Sequence, residues 1–529
     1  MCSYNKMLIN IRDWWRRKTK SISSSINRTP SVGSNVEHDH NQVHHDVVII
    51  GGGLCGLHCA YKLIEHHDDL SIGLYEKKPY LGGRISTKRH DNYVIEYVTP
   101  NYEPGKRNRF MTLLADLDIH SENLTPSPFA PSAPDFASLL PDEVKVFEKE
   151  MCVNGRLPDV LMLCMYCIRK VLAQNKIHHP WEVHAEELQQ IVKKTCKYNK
   201  RPLHDLGILE IFHDFFSVEC LQYMRRCEGQ FGMISNNPQA SEFFCRMFSM
   251  FAIFRWNVCT VGEGLNAIIE RLSDKLIGKV DVQCSSKLLG VRCAFPHARD
   301  RPTYKLSFES GSTVTCDHLV LTVPPENLCS IAGVPNTIKM LIRSSLKRVK
   351  LFKIFVIVEN PPWGNGKAEL MTDIELIHNM SDPQHTEGMM VFYTDTPYST
   401  DENDESAILL RNKVSEILRV TYPQEKPSWR IKVVEMRDWY AKPALHSYVW
   451  HAGVDVKRVL GELGSFSLGF SPKENVHICG ETFSDHQCFM EGAISSAEKV
   501  ADKIASDIEQ DHTKHERQLA YHRSLSSPQ

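Results

Sequence analysis

The 529-residue chain is predicted to adopt an α/β fold in which a discontinuous, parallel-sheet Rossmann-like domain is interleaved with a mixed sheet-plus-helical domain. Three observations predict this. First, the β-branched run Asp46 to Ile50 meets the glycines of "VVIIGGGLCGLHCAYKL" and passes into apolar positions at helical spacing, Leu57, Ala60, Leu63 and Ile64. Second, residues 108–256 are mainly helical in pattern, as in "DVLMLCMYCIRKVLA" and "GILEIFHDFFSVECLQYMRRC". Third, short β-rich segments return from Val280 to Val323 and again at "NVHICG", so the sheet must be assembled from separated pieces of chain.

In order along the chain, residues 1–45 carry seven Lys or Arg against three acids among Ser, Asn and His, too polar to build a core, and are expected to form a disordered basic tail. Within it, residues 7–20 set Trp14 and Trp15 beside Arg16, Arg17 and Lys18, a weak candidate for contact with a membrane surface. Residues 46–107 form the first part of the nucleotide-binding domain, 108–256 a helical substrate or lid region, and 257–325 the second part. Residues 326–465 form the substrate domain, 466–508 the last nucleotide-binding part, and 509–529 a second disordered tail.

Composition excludes several classes. A formal net charge of -2 gives no reason to expect nucleic acid as a partner. Even the apolar run Phe243 to Phe254 contains Arg246, and no stretch approaches the roughly 18 uninterrupted apolar residues of a membrane span. The seventeen cysteines are odd in number, follow no repeat and have no signal-peptide pattern before them, which points to reduced thiols and a cytoplasmic location. Cys164-x-x-Cys167 lacks a second pair at zinc spacing and lies in an apolar helical run, so it reads as core packing. The histidines of "HHPWEVH" and "HDHNQVHH" suggest no catalytic metal.

The spacing Gly51-x-Gly53-x-x-Gly56 places one glycine at a tight turn, one where a pyrophosphate approaches the main chain, and one where helix meets strand. A helix beginning there offers unpaired N–H groups and a positive dipole end to phosphates. Ser71 to Tyr75 is the next strand, and Glu76 follows at the distance where a carboxylate accepts ribose hydroxyls. Gly82, Gly83 and Arg84 in "YLGGRIST" would fold back over the pyrophosphate, with the guanidinium pairing phosphate oxygens. Lys353 interrupts the apolar strand-like run "LFKIFVIVENPPW" ten residues before Trp363; a charge there needs a reason, although a half-exposed strand also tolerates one.

In these pieces the chain resembles the flavin-containing amine oxidase family, which includes monoamine, polyamine and L-amino-acid oxidases. The resemblance is carried by "GGGLCGLHCAYKL…LYEKKPYLGGR", "VGEGLNAIIERL", "HLVLTVPPENL" and "ICGETFSDHQCFMEGAISSAEKVADKI". It implies a Rossmann-like FAD-binding domain, with Gly480, Glu481, Met490 and Gly492 at the flavin. It also implies that Lys353 holds a water at the flavin and assists dioxygen, and that two side chains enclose the amine. Phe489 matches one wall, and the other falls on His446, with Tyr448 and Trp450 close enough to compete. Leu445 stands where a covalent flavin link needs cysteine, so FAD should be noncovalent. Where relatives have Asp then Gly, this chain has Glu96 and Tyr97, a departure that shifts contacts near the ribityl chain. The implied activity is oxidation of an amine or amino acid to an imine with dioxygen reduced to hydrogen peroxide; a related desaturase or porphyrinogen-type oxidase, or an inactive flavin-fold binding protein, are the alternatives.

Overall fold

The structure is a computed structural model describing residues 43–90, 93–96, 109–124, 159–178, 185–226, 234–255, 258–294, 303–349, 352–362, 369–370, 377–381, 387–394, 398–399, 401, 403–422, 428–438, 447–468 and 474–525. Residues 1–42, Tyr97 and His446 lie outside these, and with them most of the expected basic tail and its segment 7–20.

Strand β1 (Val43–Ile50) leads through the glycine turn into α1 (Leu54–His66) and β2 (Ile72–Tyr75). β1 starts three residues before Asp46 because Val43, His44 and His45 extend its ladder alongside Val314, Thr315 and Cys316. A hairpin follows, β3 (Thr87–His90) with β4 (Tyr93–Glu96), then α2 (Arg109–Asp116) and β5 (Ser121–Leu124). The helical region comprises α3 (Asp159–Gln174), α4 (Ala185–Lys194), the small pair β6 (Lys197–Tyr198) and β7 (Arg201–Pro202), α5 (Ile208–Phe215), α6 (Val218–Arg226) and α7 (Ala240–Arg255). Its core is built around Leu163, Ile168, Phe212, Phe243 and Phe244, and Cys164 and Cys167 are buried within it. Burial raises the Cys167 thiol well above its ordinary value, so it stays protonated and packs as a small apolar group.

The chain returns through β8 (Val258–Val261), which pairs with β5, and α8 (Asn266–Leu276) to β9 (Val280–Gln283), β10 (Leu288–Ala294), β11 (Thr303–Phe308) and β12 (Thr313–Leu321). Next come α9 (Pro325–Ser330), α10 (Asn336–Ser345), β13 (Leu346–Val349), β14 (Phe352–Glu359), β15 (Glu369–Leu370), β16 (Ile377–Ser381), β17 (Glu387–Thr394), α11 (Glu405–Thr421), β18 (Arg430–Asp438), β19 (Ser447–Trp450) and α12 (Val456–Gly464). β20 (Val476–Ile478) and α13 (Met490–Leu525) close the fold.

The principal sheet has seven strands in the order β10-β11-β12-β1-β2-β9, with β20 also on β12. β9, β2, β1, β12 and β20 run parallel, while β10 and β11 are added antiparallel. Parallel strands need cover on both faces. Leu57, Ala60 and Leu63 of α1 pack with Ile494, Ala497, Ala501 and Ile504 of α13 in one core, while Tyr304, Leu319, Leu321 and Trp450 belong to the core on the other side. A second, antiparallel sheet, β15-β16-β17-β14-β18, carries α11, whose Leu410, Val414 and Leu418 meet Ile354, Val356 and Val358.

One expectation is corrected here. The segment 509–529 was expected to be disordered, yet α13 continues unbroken to Leu525. The apolar stripe ends near Ile508, but no Gly or Pro occurs again before Pro528, so adding residues to a helix already nucleated against α1 costs little.

Candidate active site

The glycine turn shows which positions the fold itself forbids to a side chain and which it leaves open. Gly51 sits at φ +116, where L side chains are strained, and a Cβ there would lie 2.5 Å from Thr322 Oγ1. A Cβ on Gly56 would lie 2.0 Å from the Gly51 carbonyl oxygen. Gly53 differs, since a Cβ there would meet only the Gly83 Cα at 3.7 Å. The space beside Gly53 is thus open to a ligand. α1 starts here with no side-chain cap and no acid in its first turn, leaving its terminal N–H groups and positive dipole end for an anion.

The "GGR" segment folds over that turn. The Gly82 N–H donates to the Gly52 carbonyl at 2.8 Å, and the Gly83 Cα is the nearest atom to the open face of Gly53. Glu76 is held between main-chain amides, its Oε2 accepting from Gly52 N–H at 2.7 Å and its Oε1 from Lys78 N–H at 2.8 Å. Each oxygen keeps a further lone pair, so the ribose role expected of Glu76 fits its placement.

Arg84 meets the far end of the chain. Its guanidinium donates to the Glu481 carboxylate, a contact spanning 397 residues of sequence. Glu481 also accepts from Thr482 Oγ1 at 2.8 Å and from the Cys488 N–H at 2.6 Å. Burial opposes its charge, but the adjacent guanidinium prevails and holds the carboxyl below the ordinary range. Gly480, at φ +148, starts this turn, with its N–H on Ser496 Oγ at 3.0 Å. At Gly492 a Cβ would lie 2.3 Å from both the His486 carbonyl oxygen and Ser484 Oγ, so the loop 484–489 folds back onto the start of α13 because that residue is glycine. Neighbours Phe489 and Met490 separate there, Phe489 packing against the helical-region core and Met490 against the core around α1.

Lys353 lies mid-sheet on β14, 3% exposed. Its Nζ donates to the main-chain carbonyl of Glu96 at 2.6 Å and sits 5.3 Å from the Phe355 ring centroid. The half-exposed alternative is thereby removed. Glu96 ends β4, opposite Thr87 in the hairpin. Its Oε1 accepts from Thr87 Oγ1 and from the Leu265 N–H, each at 2.8 Å, just ahead of α8. Its Oε2 is buried without a hydrogen-bond partner. Burial pushes this carboxyl up to about 7, despite the opposing Leu265 N–H, Thr87 hydroxyl and Lys353 charge.

Tyr448 and Trp450, expected to compete for the second wall beside Phe489, lie on β19. Both pack into the core on the far side of β19, with the Tyr448 hydroxyl on the Glu326 carboxylate, whereas Val449 joins the core that Phe489 touches. His446 lies outside the described residues. Sequence reasoning missed Glu242 on α7, which binds Lys193 of α4 at 2.9 Å while Lys193 also reaches Asp485 at 3.2 Å. That network ties the helical region to the loop bearing Phe489; its only sequence signal is an acid inside an apolar helix. His44, Asp46 and Asp317 gather at the opposite end of β1 from the glycines, apart from this site.

An open glycine at a helix N-terminus, a folded-over glycine pair, an acid at the adjoining strand end and a buried lysine suit a dinucleotide with a polar ring system. A family model described as flavin containing amine oxidoreductase matches residues 54–505. No curated protein sequence matches the chain. Among solved structures, wild-type putrescine oxidase bound to putrescine is similar with TM-score 0.60 and 14% identity over 88% of this chain and 99% of that one. A putrescine oxidase double mutant from a redesign of cofactor binding gives 0.60 and 15% over the same shares. At these identities the solved structures establish the fold.

Proposed function

Since this chain belongs to the flavin containing amine oxidoreductase family, we propose that it is an amine oxidase using noncovalent FAD. The observation that carries this reading is the buried Lys353 of the second sheet, docked on Glu96 of the nucleotide-binding part. The residues present fit the cofactor. Gly53, Gly83 and the α1 amides would hold the pyrophosphate, Glu76 the ribose, and Glu481, Met490 and the start of α13 the flavin. When bound, FAD supplies the acceptor for hydride from the carbon beside the substrate nitrogen, with dioxygen reduced to hydrogen peroxide.

Phe489 contributes an apolar wall that excludes water and favours the neutral amine over its ammonium form. Lys353, held away from bulk solvent, would orient a water and stabilise negative charge developing next to it. Leu445 offers no sulfur for a covalent link, consistent with reversible cofactor binding. The seventeen cysteines follow no repeat, which is the basis for reading a reducing, cytoplasmic setting, and among the described residues no helix is long and apolar enough to cross a membrane.

The test is to purify the protein, titrate FAD, and assay peroxide release with a panel of amines that begins with diamines. Lys353→Met should lower kcat/KM for dioxygen by on the order of a hundredfold while FAD stays bound. Colourless protein that takes up no flavin, or bound flavin with no amine oxidised, would overturn the proposal.

A further inference from the structure

The buried Oε2 of Glu96 is not used by the chemistry above. Its partner oxygen is fully engaged by Thr87 and Leu265, and the Thr87 hydroxyl is itself fixed by accepting the Asn266 N–H at 3.0 Å. The carboxyl therefore cannot swing freely. Gly264 is hemmed in, since a Cβ on it would lie 3.1 Å from Glu96 Oε1, and the side chain is wedged against the loop ahead of α8. Lys353 from β14 rests on the main-chain carbonyl of this same residue. The charged groups acting on the carboxyl are Lys353 from β14 and Arg89 from β3, whose guanidinium also donates to the Glu263 carbonyl, while the loop before α8 presents the Leu265 N–H.

Lys353 thus rests on one acceptor of Glu96, a carbonyl oxygen whose strength never changes, while its charge acts on the carboxyl of the same residue, whose strength as an acceptor depends on its proton. A charged acceptor binds an ammonium roughly twice as strongly as a neutral one. We propose that Glu96 is a positioning residue for Lys353: with its carboxyl neutral, Nζ stays on the Glu96 main-chain carbonyl, and with the proton released to solvent, the unpaired Oε2 draws Nζ toward the carboxylate. The side chain suits this because its length lets Oε1 reach the α8 end while Oε2 remains unpaired. The inference rests on the flavin reading of the site, and it assigns the pH response of that site to one carboxyl.

The holoenzyme's visible flavin spectrum, followed from pH 5.5 to 8.5, tests it without turnover. The wild type should show a one-proton transition with its midpoint near 7, and the transition should vanish in both Glu96→Gln and Lys353→Met. Persistence in Glu96→Gln assigns it to another group and overturns the proposal. Loss in Glu96→Gln with retention in Lys353→Met shows Glu96 acting on the flavin directly, which overturns the positioning role. A flavin-loaded wild type with a flat spectrum also overturns it while leaving the oxidase reading intact. If Glu96→Gln fails to load FAD, Thr87→Val, which removes a donor from the Glu96 carboxylate, takes its place, and a midpoint that does not move upward overturns the proposal. A wild type that takes up no FAD removes the function and this inference together.

Discussion

Two buried glutamates, joined by the short segment from Arg84 to Thr87, have opposite protonation behaviour. Glu481 has a guanidinium against it and two further donors, and its carboxyl lies below the ordinary range. Glu96 has two neutral donors on a single oxygen, none on the other, and Lys353 placed on its main chain; its carboxyl rises to about 7. Both are less than a tenth exposed, so burial does not distinguish them. What differs is whether a cation contacts the carboxylate itself, because only a direct counter-charge offsets the loss of water around an anion. The first arrangement clamps the two ends of the chain together. The second keeps a proton exchangeable beside the proposed flavin.

The largest perturbation is to remove the clamp. Arg84→Met strands the Glu481 charge and should cost about 3 kcal/mol, at the low end for a buried pair since Arg84 is partly exposed; urea unfolding measures it. The expected secondary effect is that the Glu481 carboxyl then rises, like that of Glu96. An unchanged denaturation midpoint would mean the pair contributes nothing.

A pH series tests the contrast itself. A raised carboxyl stabilises the fold fully below its unfolded value, near 4.5, and that contribution disappears as pH rises through about 7. The lowered carboxyl of Glu481 behaves in reverse, contributing fully above 4.5 and losing its contribution as pH falls through its depressed folded value. From pH 5 to 8 the stability of wild type relative to Glu96→Gln should therefore fall, by up to about 3 kcal/mol. Parallel curves for the two proteins would contradict the proton assignment. The smallest effect expected is from Thr87→Val, which removes a donor from Glu96 and an acceptor from the Asn266 N–H. It should cost about 1–2 kcal/mol and move the spectral midpoint of the holoenzyme upward, since the carboxylate loses a donor.

Legibility followed the range of the interactions involved. The turn at Gly51, Gly53 and Gly56, the helix after it and the acid at Glu76 were readable because each is set within a few residues: positive φ demands glycine, and a stripe at 3.6-residue spacing demands a helix. Lys353 stood out because an amine interrupts an otherwise continuous apolar strand. Its partner did not, since the acceptor is a main-chain carbonyl 257 residues away, and a main-chain carbonyl leaves no mark on the sequence. Tyr448 and Trp450 were plausible walls by proximity alone, and β19 turned both toward the other core because side chains alternate along a strand. The helix after Ile508 carries no local mark, because polarity resembles disorder unless a helix is already nucleated upstream.

By itself, then, the sequence determined the nucleotide turn, the alternation of sheet and helix, and the family resemblance, all of them encoded in local backbone preference and spacing. Only the tertiary structure decided that Arg84 pairs with Glu481, that Lys353 rests on Glu96, and that one oxygen of Glu96 stays unpaired. Such decisions depend on which distant groups share a water-excluded volume, and charge and proton position are set by that neighbourhood.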